Sequence, residues 1–492
     1  MTQPAQQPPR NPRIAIIGAG MSGLCMAFVL RRAGITDITI YEKADSVGGT
    51  WRDNTYPGLS CDVPSRFYQF TFAPKPDWSH VFSPGAEIRD YFTSVARDHD
   101  LEKHIRFGTE VVHAEFGQGH WRLRTSHGDT QEVDFLISAT GILHHPRYPT
   151  IQGLDDFGGA VFHSARWDHS VPLRGKRVAV VGTGSTGVQI VCGLAGTAGR
   201  VELFQRSAQW VLPVPNPSYT RFGKTLHRRF PKLGARIYES YRAGFQFLAG
   251  ALIKPGKRRR LIGALCRANL RTVRDPKLRE ALTPDYQPMC RRLIFSGRFY
   301  RAMQRPDVGL VTENIDHVTS NGIVTTDGRL HEVDVIALAT GFDAHAFLRP
   351  MNLVGENGRT IDEAWSDGPR AHLTVALPDF PNFFMLMGPH SPVGNYSLTA
   401  IAETQADHIL GWVDRWRRGE FATVAPTRQA TDAFNTEMRS AMPGTVWTTG
   451  CTSWYLGKDG VPELWPWTPG AHRTRLSTDT SGYDLRVTAD RP

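Results

Sequence analysis

Two turns in this chain carry the spacing G-x-G-x-x-G: Gly18-Ala19-Gly20-Met21-Ser22-Gly23 and Gly182-Thr183-Gly184-Ser185-Thr186-Gly187. That spacing suits the binding of a pyrophosphate. The first glycine permits a tight turn, the second lets backbone approach the phosphates, and the third lets a helix pack closely on a strand. The N–H groups at the start of that helix then face the anion. Both turns have the flanks this requires. Arg13-Ile-Ala-Ile-Ile17 and Arg177-Val-Ala-Val-Val181 read as buried parallel strands. Helices should follow, the first over 21–33, and then second strands over 38–42 and 201–206. Glu42 and Arg206 close those strands, each 24 residues after the first glycine of its turn. An acid there accepts from ribose hydroxyls, as FAD offers. An arginine there suits a 2′-phosphate, so NADPH is expected in preference to NADH. The competing readings are a structural strand-turn-helix unit with no ligand and, for Arg206, a solvated surface charge.

Other side chains have reactive potential without so clear a spacing. Gly49-Thr50-Trp51 could form a loop under a flat ring, though Trp51 could equally be core. Asp62 follows a Pro-Gly turn, where a polar residue is either functional or a cap. Arg291 and Arg292 stand side by side in a loop, as plain surface charge or as a pair whose side chains point apart to separate tasks. Between the two glycine turns runs Phe157-x-Gly159-x-x-x-His163-x-x-x-Trp167-Asp168, by itself an ordinary linker with a packed Trp and a satisfied His. Two apolar strands end alike, in Ala-Thr140-Gly141 and Ala-Thr340-Gly341, which suggests that the chain leaves and re-enters one shared layer. Trp447, Tyr455, Trp465 and Trp467 could line a pocket or simply be core.

Behind these residues stands an α/β protein of two Rossmann-like dinucleotide-binding domains with an inserted helical subdomain. A chain of 492 residues exceeds one core. We divide it into a loose tail (1–12), an FAD-binding part (13–150), an NADP-binding part (151–218), a basic helical insert (219–280), a second NADP-binding part (281–334) and a second FAD-binding part with a C-terminal lid (335–492). Six scattered cysteines without a C-x-x-C pair argue against a disulfide scaffold, a zinc ribbon and a dithiol enzyme, and fit a reducing cytoplasm. No metal site is expected. No apolar run reaches the roughly 18 residues of a spanning helix. The net charge is +10, yet residues 219–279 alone hold 17 Lys or Arg against two acids, a local +15, leaving −5 for the rest. Such a segment is either a solvated basic face or a peripheral membrane surface. No nucleic-acid module accompanies it.

Together these features resemble the type I Baeyer–Villiger monooxygenases, class B flavoproteins of the flavin-containing monooxygenase superfamily. The resemblance rests on the Glu- and Arg-terminated turns and the linker between them. It rests also on Gly-Gly-Thr-Trp51, Tyr-Pro-Gly-x-x-Cys-Asp62, Phe-Gln-Arg206, Cys-Arg-Arg292, Ala-Thr-Gly-Phe342, Gly-Pro-His-Ser-Pro392 and Cys-Thr-Ser-Trp454. Trp167 separates the linker from that of related N- and S-oxygenases. Arg291 departs from a common lysine, and the insert is long. The resemblance implies that FAD, reduced by NADPH, forms a C4a-peroxyflavin with O2 that converts a small-molecule ketone to an ester or lactone. It gives Arg292 the role of the fixed cation, Asp62 that of orienting it, and Arg206 with Arg291 the 2′-phosphate. Trp454 would close on the nicotinamide cofactor, while His163 and Trp167 would anchor a hinge. The rival readings are a heteroatom oxygenase and a flavin reductase without oxygenation.

Overall fold

The computed structural model describes residues 10–394, 396–453, 455–478 and 480–487. Its frame is two five-stranded parallel sheets in which four strands follow one order and the fifth, at the same edge, comes last in the chain in the first sheet and first in the second. In the first, Phe383–Met385, Phe135–Ser138, Ile14–Ile17, Ile38–Tyr41 and Ile105–Arg106 lie side by side. In the second the corresponding series is Ala160–His163, Val335–Leu338, Arg177–Val181, Arg200–Phe204 and Val308–Val311. The strand that feeds each glycine turn is central, so the turn opens at the carboxyl edge of the sheet. A ligand belongs at that edge in a doubly wound fold.

The glycines are needed for local packing. A Cβ on Gly23 would lie 1.9 Å from the Gly18 carbonyl oxygen, and one on Gly187 would lie 1.9 Å from that of Gly182. Either would force helix and strand apart. Gly18 and Gly182 have φ of +104° and +113°, a region that side chains disfavour. The helices that follow, Met21–Arg32 and Ser185–Leu194, have no side-chain cap and no acid in their first turns. Their leading N–H groups are therefore open to an anion. The first helix buries Leu24, Met26 and Leu30 and packs on the long helix Leu398–Arg417.

The two Ala-Thr-Gly endings do not share a layer. Phe135–Ser138 lies in the first sheet and Val335–Leu338 in the second, at equivalent positions. Residues 335–338 thus pair with the strands of the second sheet and not with the part containing the first sheet, to which we assigned them. The likeness of the two endings reflects a repeated unit. Each supplies the carbonyl, Ala139 or Ala339, on which the turn glycine closes, at 2.7 Å and 2.5 Å from a Cβ placed on Gly18 or Gly182. The chain returns to the first sheet only at Phe383–Met385.

Between the halves of the second unit lie the helices Arg221–Arg229, Pro231–Ile253, Lys257–Leu270 and Pro276–Ala281. Thr220 caps the first through Gly223 N at 3.1 Å and Asp275 caps the last through Lys277 N at 2.9 Å. No helix among the described residues is long and apolar enough to cross a membrane.

Candidate active site

At the first glycine turn, Glu42 is 5% exposed and accepts from Ala19 N at 2.9 Å and Ala44 N at 3.0 Å. Arg52 Nη1 stands 3.1 Å from its Oε1. A carboxylate has about four acceptor positions, so one remains for a ribose hydroxyl. The loop of Gly49 crosses the turn so closely that a Cβ on Gly49 would lie 3.1 Å from the Gly20 Cα. Trp51 leaves this loop half-buried, and its Nε1 donates to the Tyr68 hydroxyl at 3.1 Å.

At the second turn, Thr183 Oγ1 donates to the Ser207 carbonyl at 2.7 Å, which ties the turn to the loop after Arg206. Arg206 itself is exposed. Arg291 reaches the same loop across 84 residues: its Nη1 donates to Ser207 Oγ at 2.6 Å, and its guanidinium lies 4.5 Å above the Tyr286 ring. Its Nε is buried without a partner. Two cations and an unsatisfied donor beside an open helix terminus suit a phosphate.

Arg292 points elsewhere. Its Nε and Nη2 both donate to Asp62 Oδ2, at 2.9 Å and 2.7 Å, while Nη1 donates to the carbonyls of Val393 at 3.0 Å and Gly394 at 2.8 Å. The Tyr455 hydroxyl takes a further bond. Burial by itself would lower the Arg292 pKa, but Asp62 and the oxygens around it more than offset this, and the net direction is upward. The guanidinium sits deep in the molecule, yet 29% of its side-chain surface is open. Asp62 is placed by the Tyr56–Gly58 loop, which is pressed against the second-unit helix Ser185–Leu194. Tyr56 Oη donates to Gln189 Oε1 at 2.9 Å, Gln189 Nε2 donates to the Ser60 carbonyl at 2.9 Å, and a Cβ on Gly58 would lie 2.3 Å from the Gln189 carbonyl.

Val393 and Gly394 also border an open, largely apolar pocket lined by Leu252, Tyr396, Trp447, Trp465 and Trp467. Three of the C-terminal aromatics therefore face one cavity. The fourth, Tyr455, touches Arg292, a contact that reading the sequence did not find. Trp454 lies outside the described residues. The segment just before it is bonded to the arginine loop by a disulfide, Cys290–Cys451, across 161 residues. Cysteine spacing carries no information about a pairing at that range, and this bond departs from our reading of six scattered thiols. The other four are free.

The linker stretch lies on the chain crossing. His163, fully buried, ends the edge strand of the second sheet. Its Nδ1 accepts from Ala165 N at 3.1 Å, so the ring proton sits on Nε2 and is donated to the Gly341 carbonyl at 3.0 Å. Burial lowers its pKa and favours this neutral form. Gly341 also accepts from Arg147 N at 2.9 Å, where the two connections after the Ala-Thr-Gly strands pair. Thr140 and Thr340 face the same crossing through Phe347 O at 3.0 Å and Arg147 O at 2.6 Å. Trp167 packs on Phe162 at 4.6 Å, Phe157 is buried, and Asp168 accepts from Ser170 N at 2.8 Å. A Cβ on Gly159 would lie 2.3 Å from the Asp334 carbonyl oxygen.

Two strand-turn-helix units, one closed by an acid and one by an arginine, with a cation of the second held by Asp62 of the first and an apolar pocket beside its carbonyl partners, have the frame of a two-nucleotide flavoprotein. Residues 11–240 match the model of the flavin-binding monooxygenase-like family. The chain is 63% identical over 478 residues to an uncharacterised monooxygenase of Mycobacterium tuberculosis, covering 97% of each. It is 38% identical over 468 residues to a Baeyer–Villiger monooxygenase of Streptomyces coelicolor, covering 94% of this chain and 90% of the relative. An oxidised steroid monooxygenase solved with NADP superposes with a TM-score of 0.87 at 30% identity, over 97% of this chain and 100% of that one. The chain belongs to the flavin-binding monooxygenases of the Baeyer–Villiger type.

Proposed function

We propose that the protein inserts one oxygen atom of O2 beside the carbonyl of an apolar ketone, giving an ester or lactone, with FAD in the first unit and NADPH in the second. The observation that carries this reading is Arg292, held by Asp62 and by the carbonyls of Val393 and Gly394, two residues that themselves line the aromatic pocket. FAD reduced by NADPH supplies the activated oxygen. The chain supplies position and charge. Glu42 takes the ribose hydroxyls, and Gly18, Gly20, Met21, Ser22 and Gly23 take the pyrophosphate, with Gly49, Thr50, Trp51 and Thr140 toward the flavin end. Gly182 to Gly187 take the second pyrophosphate, Arg206 and Arg291 the 2′-phosphate, and Thr340, Gly341 and Trp454 the nicotinamide side. Arg292 stays protonated at any working pH and so presents a fixed positive charge to developing negative charge. Asp62 keeps that charge in place. The chain crossings around His163 and Gly341 set the two units relative to each other.

The test is Arg292→Ala. The variant should bind FAD and accept electrons from NADPH at near the parent rate, form no ester, and release hydrogen peroxide in proportion to the NADPH consumed. Full ester formation would sink the role. Sulfoxide produced in place of ester by the parent enzyme, given one ketone and one sulfide, would move the protein to the heteroatom oxygenases.

A further inference from the structure

The basic insert also exposes large apolar side chains. Phe222 is 77% exposed, Phe230 55%, Phe247 53%, Leu261 61% and Leu265 45%, and these five include the most exposed phenylalanines and leucines described. They stand among the 17 cations of residues 219–279. Of these 17, all of them described, only Arg228, with Asp77, and Arg242, with Glu239, are in ion pairs. Arg259 is spent on structure, donating to the carbonyls of Ala251 at 2.8 Å and Leu252 at 3.0 Å and so closing the helix Pro231–Ile253. Its neighbours Lys257, Arg258 and Arg260 are exposed and pair with no acid.

The apolar and basic groups meet on one face. The Arg258 guanidinium lies 3.7 Å above the Phe247 ring, which brings the outer sides of two successive helices together. Leu261 and Leu265 follow Arg258 at helical spacing along that side. Exposed aromatic and leucine side chains ringed by unpaired cations match an anionic lipid surface, where the apolar groups enter the headgroup layer and the cations meet phosphate. A nucleic-acid surface would use the charge but has no place for isolated leucines. The inner side of the helix that carries Phe247, at Ala249 and Leu252, lines the aromatic pocket.

We propose that the outer face of the insert, centred on Phe247, Arg258, Leu261 and Leu265, docks the protein peripherally on anionic bilayers. The docked face is one helix away from the cavity. Entry of a lipid-dissolved substrate at that point rests on the functional reading above; the docking does not.

The test uses the FAD-loaded protein and vesicles of phosphatidylcholine with or without about one third phosphatidylglycerol. The protein should pellet with the anionic vesicles at least about tenfold more tightly than with the neutral ones, and less so as salt shortens the Debye length. Lys257→Glu/Arg258→Glu/Arg260→Glu should abolish the preference. Phe247→Ser/Leu261→Ser/Leu265→Ser should weaken binding to anionic vesicles several-fold. Flavin content and circular dichroism report whether either variant folds. Independently of any variant, anionic vesicles should slow amide exchange in peptides spanning 243–268 of the parent protein. Absence of pelleting, equal pelleting with neutral vesicles, or unchanged exchange in those peptides would overturn the proposal. So would retention by duplex DNA without vesicle binding, which would assign the face to nucleic acid.

Discussion

Asp62 and Arg292 are 230 residues apart in the chain and meet at 2.7 Å. One comes from the first nucleotide-binding unit and the other from the loop that follows the insert in the second. The pair exists only when both units are folded and correctly seated. It ties the position of a single charge to the seating of one unit on the other.

Removing the carboxylate charge at constant shape should therefore uncouple reduction from oxygenation. For Asp62→Asn we expect flavin reduction by NADPH within a few-fold of the parent and ester formation lower by about 10- to 100-fold, the usual scale for a partner that orients a reactive group. Product and peroxide yields, measured side by side, check this. A variant that oxygenates normally would show that Arg292 is held well enough by Val393 and Gly394.

Arg291 donates to Ser207, the residue next to the exposed Arg206, so the 2′-phosphate should be read there. Loss of one charge-assisted contact costs about 1.5–3 kcal/mol. Arg206→Ala should raise KM for NADPH by about 10- to 100-fold on that scale and leave KM for NADH nearly unchanged. Parallel kinetics with both cofactors decide the matter, and equal effects would remove the assignment.

His163 satisfies two backbone groups at once, Ala165 N–H and the Gly341 carbonyl. His163→Ala orphans both, at about 1–3 kcal/mol each. We expect a lower Tm together with slower flavin reduction or weaker NADP⁺ retention. Stopped-flow reduction and NADP⁺ titration test the hinge. Unchanged reduction and binding with loss of ketone oxidation alone would place His163 in the chemistry instead.

Glu403 offers a pH test remote from the site. Burial, with a smaller contribution from Asp407, pushes its carboxyl from the ordinary 4.5 up to about 7, against hydrogen bonds from Thr71 N at 2.7 Å and Thr71 Oγ1 at 2.9 Å. Between those two pH values the folded state binds the extra proton. Stability is therefore lost as pH rises from 4.5 toward 7 and stays lost above it. Both bonds go to Oε1, which Gln retains. Glu403→Gln should stabilise the protein at pH 8 by about 1–2 kcal/mol, discounted for partial exposure, and by little near pH 4.5. Denaturant melts at the two pH values check the sign.

The sequence by itself determined the two phosphate-binding turns, because their requirements are local. A tight turn, a close helix and a strand-helix-strand unit of set length leave their mark in glycine spacing and in one charged residue 24 positions on, Glu42 or Arg206. The helical, basic nature of the insert was local too. Tertiary structure alone decided which sheet Val335–Leu338 joins, since both sheets offer an equivalent place beside the strand that feeds the glycine turn and strand composition does not choose between them. It alone brought Tyr455 and the Val393 and Gly394 carbonyls to Arg292, joined Cys290 to Cys451, and set Arg291 against the loop of Arg206. These contacts span tens to hundreds of residues. What selects them is the packing of whole units, which buries large shared surfaces and leaves no periodic trace in any one segment.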